Sequence, residues 1–216
     1  MIGYHILEER RMIIGLSAWK RSGKDTASDL LVNEFKFKKV SFANTLKDMV
    51  AEQYDIPRNS LDDQNLKEAP LFQYPVNPQD AFSKMIADFL QKEFKVDGNG
   101  KLYWTPRALA ILEGSVKRSV NAAYWTSRAL GQIKPGDLAI ISDLRYKSEA
   151  AQIRGYANAI GQKSLLIRIN RFDESPSSDP SERDLDDYQG FDAIVENRGT
   201  LEEFQEKISS LVFSKL

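Results

Sequence analysis

The sequence predicts an α/β fold built on a mainly parallel five-stranded sheet flanked by helices. Three observations predict it. Five short apolar segments, punctuated by Gly, Pro or Asp, alternate with stretches whose apolar residues recur at helical spacing. The first segment, RMIIGLSAW, runs directly into a turn bearing Ser-Gly-Lys and then into a helical pattern. A long helix-rich insert, 47–131, separates the second and third segments, leaving 11–46 and 132–216 as the core. Strands that alternate with helices bury both faces of a sheet and favour parallel pairing.

The later strands are read at 37-FKKVSF-42, 137-DLAIIS-142, 164-SLLIRIN-170 and 191-FDAIV-195. The first helix carries Ala27, Leu30, Leu31 and Phe35 on one side. In the insert, Phe82, Met85, Ile86, Phe89 and Leu90 form a second stripe, followed by a turn at 97-DGNG-100. Thr105-Pro106 starts another helix as N-cap and first-turn proline, with Leu109, Leu112 and Val116 on its inner face. Ala150, Ile153, Ala157 and Ile160 make a further stripe. Thr200 and Glu203 form a capping box ahead of Phe204, Ile208, Leu211 and Val212. The polar stretch 171–190, between the last two strands, has the length and composition of a functional lid.

Bulk composition narrows the chemistry. The 216 residues are 42% hydrophobic and 28% charged, yet the net charge is −1, which disfavours a generally basic nucleic-acid binder. With no cysteine, disulfides and thiolate zinc sites are excluded, and a reducing compartment is the natural setting. No apolar run is long enough to span a bilayer, and MIGYHILEER lacks the apolar centre of a signal peptide, so a cytoplasmic location is expected. The single histidine, His5, lies in a polar tail and is given no role. Chemistry therefore falls to Lys, Arg, Asp, Glu and hydroxyl groups.

The stretch 17-SAWKRSGKDT-26 departs from the phosphate-binding pattern GxxxxGK[ST] at two places: Ala18 replaces the first glycine and Asp25 follows the lysine. Its setting between a buried strand and an amphipathic helix suits an anion cradle, where backbone amides and the helix N-terminus converge. Gly23 permits close approach of the backbone, Lys24 is placed to bridge phosphates, and Thr26 and Asp25 are candidate partners of Mg²⁺. A positive φ at Ala18 would cost on the order of 1 kcal/mol. At 140-IISDLRYKSEA-150, Asp143 stands at a strand's C-terminal end with Arg145 and Glu149 beyond it, where open α/β sheets bind ligands. A helix cap for Asp143 and a surface ion pair for Arg145 are the competing readings.

These motifs, in this order, resemble the bacteriophage deoxynucleoside monophosphate kinases. WKRSGKDT is similar to that family's phosphate loop, which carries Asp after the lysine, and 41-SFANTLKD-48 to its segment after the second strand. The helix 105-TPRALAILEGSVKR-118 resembles a Thr-Pro-Arg helix, with Ser115 and Val116 in place of Thr and Glu. SDLRYKSE, DPSERDL and ENRGT resemble three further family motifs, Asp179 replacing a histidine.

The resemblance implies a P-loop kinase fold with a helical acceptor-binding insert and a lid. It implies transfer of the ATP γ-phosphoryl group to a deoxynucleoside monophosphate, with Mg²⁺, in deoxynucleotide biosynthesis. Its partners would be small-molecule nucleotides, with neither nucleic acid nor membrane, and it implies a homodimer and, for a phage-encoded protein, the host cytoplasm. Arg21, Ser22, Gly23, Lys24, Asp25 and Thr26 are expected to hold ATP, with Asn197 and Gly199 near adenine. Asp25, Thr26 and Asp143 are the expected metal partners. Lys20, Ser41, Phe42, Leu46, Lys47, Arg107, Arg118, Trp125, Asp143, Arg145 and Glu149 are assigned to the acceptor. Core packing is the alternative for Phe42, Leu46 and Trp125. Lys24, Asp143, Arg145 and Arg171 are assigned to catalysis, with Arg171 and Arg183 on the lid. A kinase for another small phosphorylated acceptor, of the phosphomevalonate type, and a nucleotide-binding regulatory module remain open readings.

Overall fold

The computed structural model describes residues 11–76, 95–171 and 183–216. The Phe82–Leu90 stripe and most of the 171–190 stretch fall outside them. Five parallel strands form the main sheet: β1 (Met12–Ala18), β2 (Lys38–Val40), β5 (Ala139–Ile141), β6 (Lys163–Asn170) and β7 (Ala193–Glu196), in the order β2-β5-β1-β6-β7. All five correspond to the segments read from the sequence. The second shrinks to three residues, with Phe37 buried just before it.

Alternation along β1 and β6 sorts side chains onto two buried faces, as a period of two requires. Met12, Ile14 and Leu16 with Leu165, Ile167 and Ile169 face helices α1 (Lys24–Phe35) and α6 (Leu201–Phe213). Ala27, Leu30 and Leu31 come from α1, and Phe204, Ile208 and Val212 from α6. The other face, with Ile13, Ile141 and Leu166, packs on Ala150, Ile153 and Ala157 of α5 (Lys147–Ala159) and on Ala129 and Leu130 of α4 (Tyr124–Leu130). Gly15 also lies on this face, where a Cβ would stand 2.8 Å from Leu166 Cδ2 and 3.2 Å from Ile153 Cδ1. Thr200 caps α6 as expected, its Oγ1 accepting from Glu203 N at 3.2 Å while Thr200 N donates to Glu203 Oε2 at 3.0 Å.

The chain divides into two compact units, one of residues up to Phe42 with Thr126–Leu216, the other of Ala43–Trp125. The second contains most of α2 (Phe42–Gln53), a two-stranded antiparallel ribbon of β3 (Lys95–Val96) and β4 (Leu102–Tyr103), and α3 (Pro106–Val120). The ribbon folds around the 97–100 turn, where Asp97 Oδ1 accepts from Asn99 N and Lys101 N, both at 2.9 Å. Strands of two residues carry too little alternation to read from sequence. Thr105 caps α3, accepting from Ala108 N at 3.1 Å, with Pro106 in the first turn. Leu109 is buried beside Val50, Ile56 and Leu61, but Val116 is exposed, so the inner stripe of α3 ends earlier than its spacing predicts. Among the described residues no helix is long and apolar enough to cross a membrane.

Candidate functional site

The 19–23 turn links the C-terminal end of β1, the sheet's central strand, to the N-terminus of α1. Ser22 N donates to Trp19 O at 3.2 Å, and Ala27 N to Gly23 O at 3.0 Å. The left-handed positions are Arg21 (φ 65) and Gly23 (φ 98); Ala18 is not among the positive-φ residues, so the strain anticipated there does not arise. Gly23 is the N-cap of α1 and supplies no side-chain cap. The first-turn amides thus keep the partial positive charge that attracts anions. Ser22 Oγ is buried with no hydrogen-bond partner, the kind of orphaned polar atom that a ligand satisfies. Lys24 Nζ lies 3.7 Å from the exposed carboxylate of Asp25.

Two sequence-predicted residues meet this loop from elsewhere. Asn197 is buried, and its Nδ2 donates to Ser22 O at 2.9 Å. A Cβ at Gly23 would lie 2.4 Å from that Nδ2 and 3.3 Å from the Phe204 ring. Asn197 therefore buttresses the loop from behind. Gly199 serves the capping box, since a Cβ there would meet Glu203 Oε2 at 1.9 Å. Arg171, exposed, donates from Nη1 to Arg21 O at 3.4 Å. Lys20 is exposed on the same turn.

Beyond β5, Asp143 Oδ2 accepts from Ser41 Oγ at 2.8 Å and Oδ1 from Phe42 N at 3.0 Å. Asp143 thus holds the start of α2 from a neighbouring strand, a capping role on a helix other than its own. Glu149 is buried and its Oε2 accepts from Arg145 N at 2.9 Å and Tyr146 N at 3.1 Å. Its carboxylate opens α5, beside the turn where the sequence assigns it to the acceptor. Arg145 is exposed at that turn, and Phe42 is buried in the core against Val40 and Leu144.

In the second unit, Trp125 is 3% exposed, its Nε1 donates to Gly114 O at 3.2 Å, and Tyr124 meets it edge-on at 4.9 Å. A ring so enclosed packs in the core of its unit, the alternative that the sequence holds open beside stacking on a base. Leu46 packs into the Val50–Leu109 cluster and against Gly114, where a Cβ would come within 3.2 Å of its Cδ2. Lys47 pairs with Asp62 at 2.7 Å, and that hydrogen bond holds the Asp62 carboxyl below its usual range. Arg107 pairs with Glu68 at 2.9 Å, and Arg118 is exposed on α3. Glu113, unremarked in the sequence, is buried and accepts from Tyr54 OH at 2.7 Å and Gln53 Nε2 at 2.8 Å. Burial first, then the bond to Glu113, pushes the Tyr54 phenol above its usual range. No spacing signal reveals such a pairing, because Tyr54 and Glu113 are fifty-nine positions apart.

The parallel sheet and the strand–loop–helix cradle at its central tip define a P-loop kinase fold. A family model described as deoxynucleotide monophosphate kinase matches residues 12–72. Over 206 residues the chain is 28% identical to the "Putative deoxynucleotide monophosphate kinase" of Acanthamoeba polyphaga mimivirus, covering 93% of this chain and 96% of that one. Among solved structures it is similar to the dephospho-CoA kinase of Campylobacter jejuni, with a TM-score of 0.47, 14% identity and coverage of 93% and 94% of the two chains. The APS kinase of Mycobacterium tuberculosis, solved with AMPPNP and APS, gives 0.42, 10%, 94% and 98%. Neither structural likeness bears on substrate.

Proposed function

We propose that this protein transfers the γ-phosphoryl group of ATP to a deoxynucleoside 5′-monophosphate, giving the diphosphate and ADP, with Mg²⁺. The observation that carries the reading is the 19–26 loop: an uncapped helix N-terminus, a left-handed Gly23 and the buried, unpartnered Ser22 Oγ. The deoxynucleotide monophosphate kinase family model that matches residues 12–72, this loop included, supports the acceptor class.

The chain's own groups supply what phosphoryl transfer needs, which is positioning and charge stabilisation. Amides at the start of α1 and the Lys24 ammonium hold the donor phosphates. Arg145 and Arg171 offset charge as it moves from donor to acceptor, and Lys20, Lys47, Arg107 and Arg118 are the cations assigned to the acceptor. Since the acceptor is already an anion, no general base is required, and a chain whose one histidine is His5 loses nothing. Thr26, Asp25 and Asp143 present hard oxygen donors, which fit Mg²⁺ directly or through water. That ion would neutralise charge on the transferring group.

The test is a panel of dGMP, dTMP, dCMP and dAMP, with phosphomevalonate as a control acceptor, each incubated with ATP and Mg²⁺ while diphosphate is read directly. Formation of at least one deoxynucleoside diphosphate, lost in Lys24→Ala, is the expected result. ATP binding with no transfer to any monophosphate would overturn the kinase reading and leave a nucleotide-binding module. The homodimer is a separate proposal, read by sedimentation of the purified chain.

A further inference from the structure

A partly buried polar cluster lies under the entrance of the phosphate loop, and the proposed reaction makes no use of it. Arg168 on β6 is the register partner of Ser17 on β1, so both side chains share one face. Only 9% of the Arg168 side chain is exposed. Its Nη1 donates to Ser17 Oγ at 2.9 Å and its Nη2 to Asp186 Oδ1 at 3.2 Å. The guanidinium carbon stands 5.2 Å from the centroid of the Trp19 ring, a cation–π distance. Trp19 Nε1 donates to the same Asp186 Oδ1 at 3.0 Å. One carboxylate oxygen thus gathers the indole that opens the loop and the arginine beneath it. The carbonyl of Trp19 in turn accepts from Ser22 N, fixing the turn that presents Gly23 and Lys24.

Asp186 itself is carried on a firmly seated element. Its neighbour Leu185 is buried in the core. Asp184 Oδ2 accepts from Lys147 N at 2.6 Å, and Asp187 Oδ2 from Lys147 Nζ at 2.9 Å. Arg168 is enclosed but 29% of the Asp186 side chain meets solvent, so screening and desolvation leave the pair a small net contribution to stability. What such a pair does provide is direction, through charge-assisted hydrogen bonds of narrow geometry. A side chain locked from behind is the arrangement that holds a binding loop to its productive shape.

We propose that Asp186 is a positioning residue for the phosphate loop, acting through Trp19 and Arg168 to fix the loop's entry so that its amides and Lys24 are pre-aimed at a phosphate. This rests on the reading of the loop as an ATP site. The experiment uses the full chain labelled with ¹⁵N at its three tryptophans, Trp19→Phe identifying the Trp19 indole signal. ATP with Mg²⁺ is titrated in. The Trp19 signal is expected to shift on ATP binding. In Asp186→Ala that signal is displaced before ATP is added, and ATP affinity falls roughly tenfold, as loss of a charge-assisted bond implies. The turnover number at saturating ATP changes less than the KM for ATP. Asp186→Asn, which keeps an oxygen acceptor for the indole, recovers most of the affinity.

A cooperatively folded Asp186→Ala that binds ATP as tightly as the parent overturns the proposal, as does an unmoved Trp19 signal in that variant. If Asp186→Ala does not fold, Trp19→Phe decides: it keeps a ring over Arg168 but loses the N–H, and unchanged ATP affinity sinks the idea. A parent protein that binds no ATP ends both this proposal and the loop reading. ATP binding without phosphorylation of any monophosphate removes the kinase reading and leaves this one standing.

Discussion

Asn197 shows how one side chain can decide whether a loop works. Its Nδ2 reaches Ser22 O at 2.9 Å inside a buried contact. Asn197→Ala strips that carbonyl of a partner, which costs about 1–3 kcal/mol when the acceptor stays buried. We expect a lower unfolding midpoint and a raised KM for ATP, read by denaturation and by steady-state kinetics on the same preparation; an unaltered KM would remove Asn197 from loop support. Trp125 makes the opposite case. Enclosed at 3% exposure and bonded to Gly114 O, it belongs to the packing of its own unit. Trp125→Phe should lower stability by about 1–3 kcal/mol through lost volume and a carbonyl left unpaired. The KM for a deoxynucleoside monophosphate should stay within about twofold, since uniform binding energy is what KM reports. A large rise in that KM would restore the ring to the acceptor site.

At the scale of elements, the two helix starts on either side of Phe204 differ in purpose. The N-terminus of α6 is closed by Thr200 and Glu203, each side chain satisfying a backbone N–H. The N-terminus of α1 carries Gly23 and no side-chain cap. Thr200→Ala should cost about 1 kcal/mol of stability and leave ATP affinity intact, as expected of a lost cap. Gly23→Ala should abolish ATP binding, because a Cβ at φ 98 would also stand 2.4 Å from Asn197 Nδ2. Calorimetric titration of both variants separates the roles; equal ATP affinities would show that the loop is not the ATP site. The five strands and the capped helices were legible because period-two and period-3.6 patterns and the Thr-Pro and Thr…Glu signatures are local. The β3–β4 ribbon and α4 were not, since each is too short for periodicity to rise above composition.

For the whole molecule, ligand binding and folding are linked. ATP with Mg²⁺ at a hundredfold over its dissociation constant should raise the stability of the unit that binds it by about 2.7 kcal/mol. A thermal melt with and without ATP reads this directly. Lys24→Ala should erase the shift while melting at the parent's temperature in the absence of ATP, as Lys24 is absent from the buried core. A shift that survives Lys24→Ala would place the nucleotide elsewhere.

The sequence alone determined the strand–loop–helix of residues 12–35, the parallel character of the sheet and the charge chemistry available, because these depend on neighbours a few positions apart. It also supplied the acidic and basic residues of the candidate site, by type. Tertiary structure decided what those residues do. It turned Trp125, Phe42 and Leu46 inward, committed Glu149 to a cap, set Asn197 behind the loop and joined Asp186 to Trp19 across 167 positions. Hydrogen bonds and burial are settled by which surfaces meet when the chain closes, and no local pattern records that meeting.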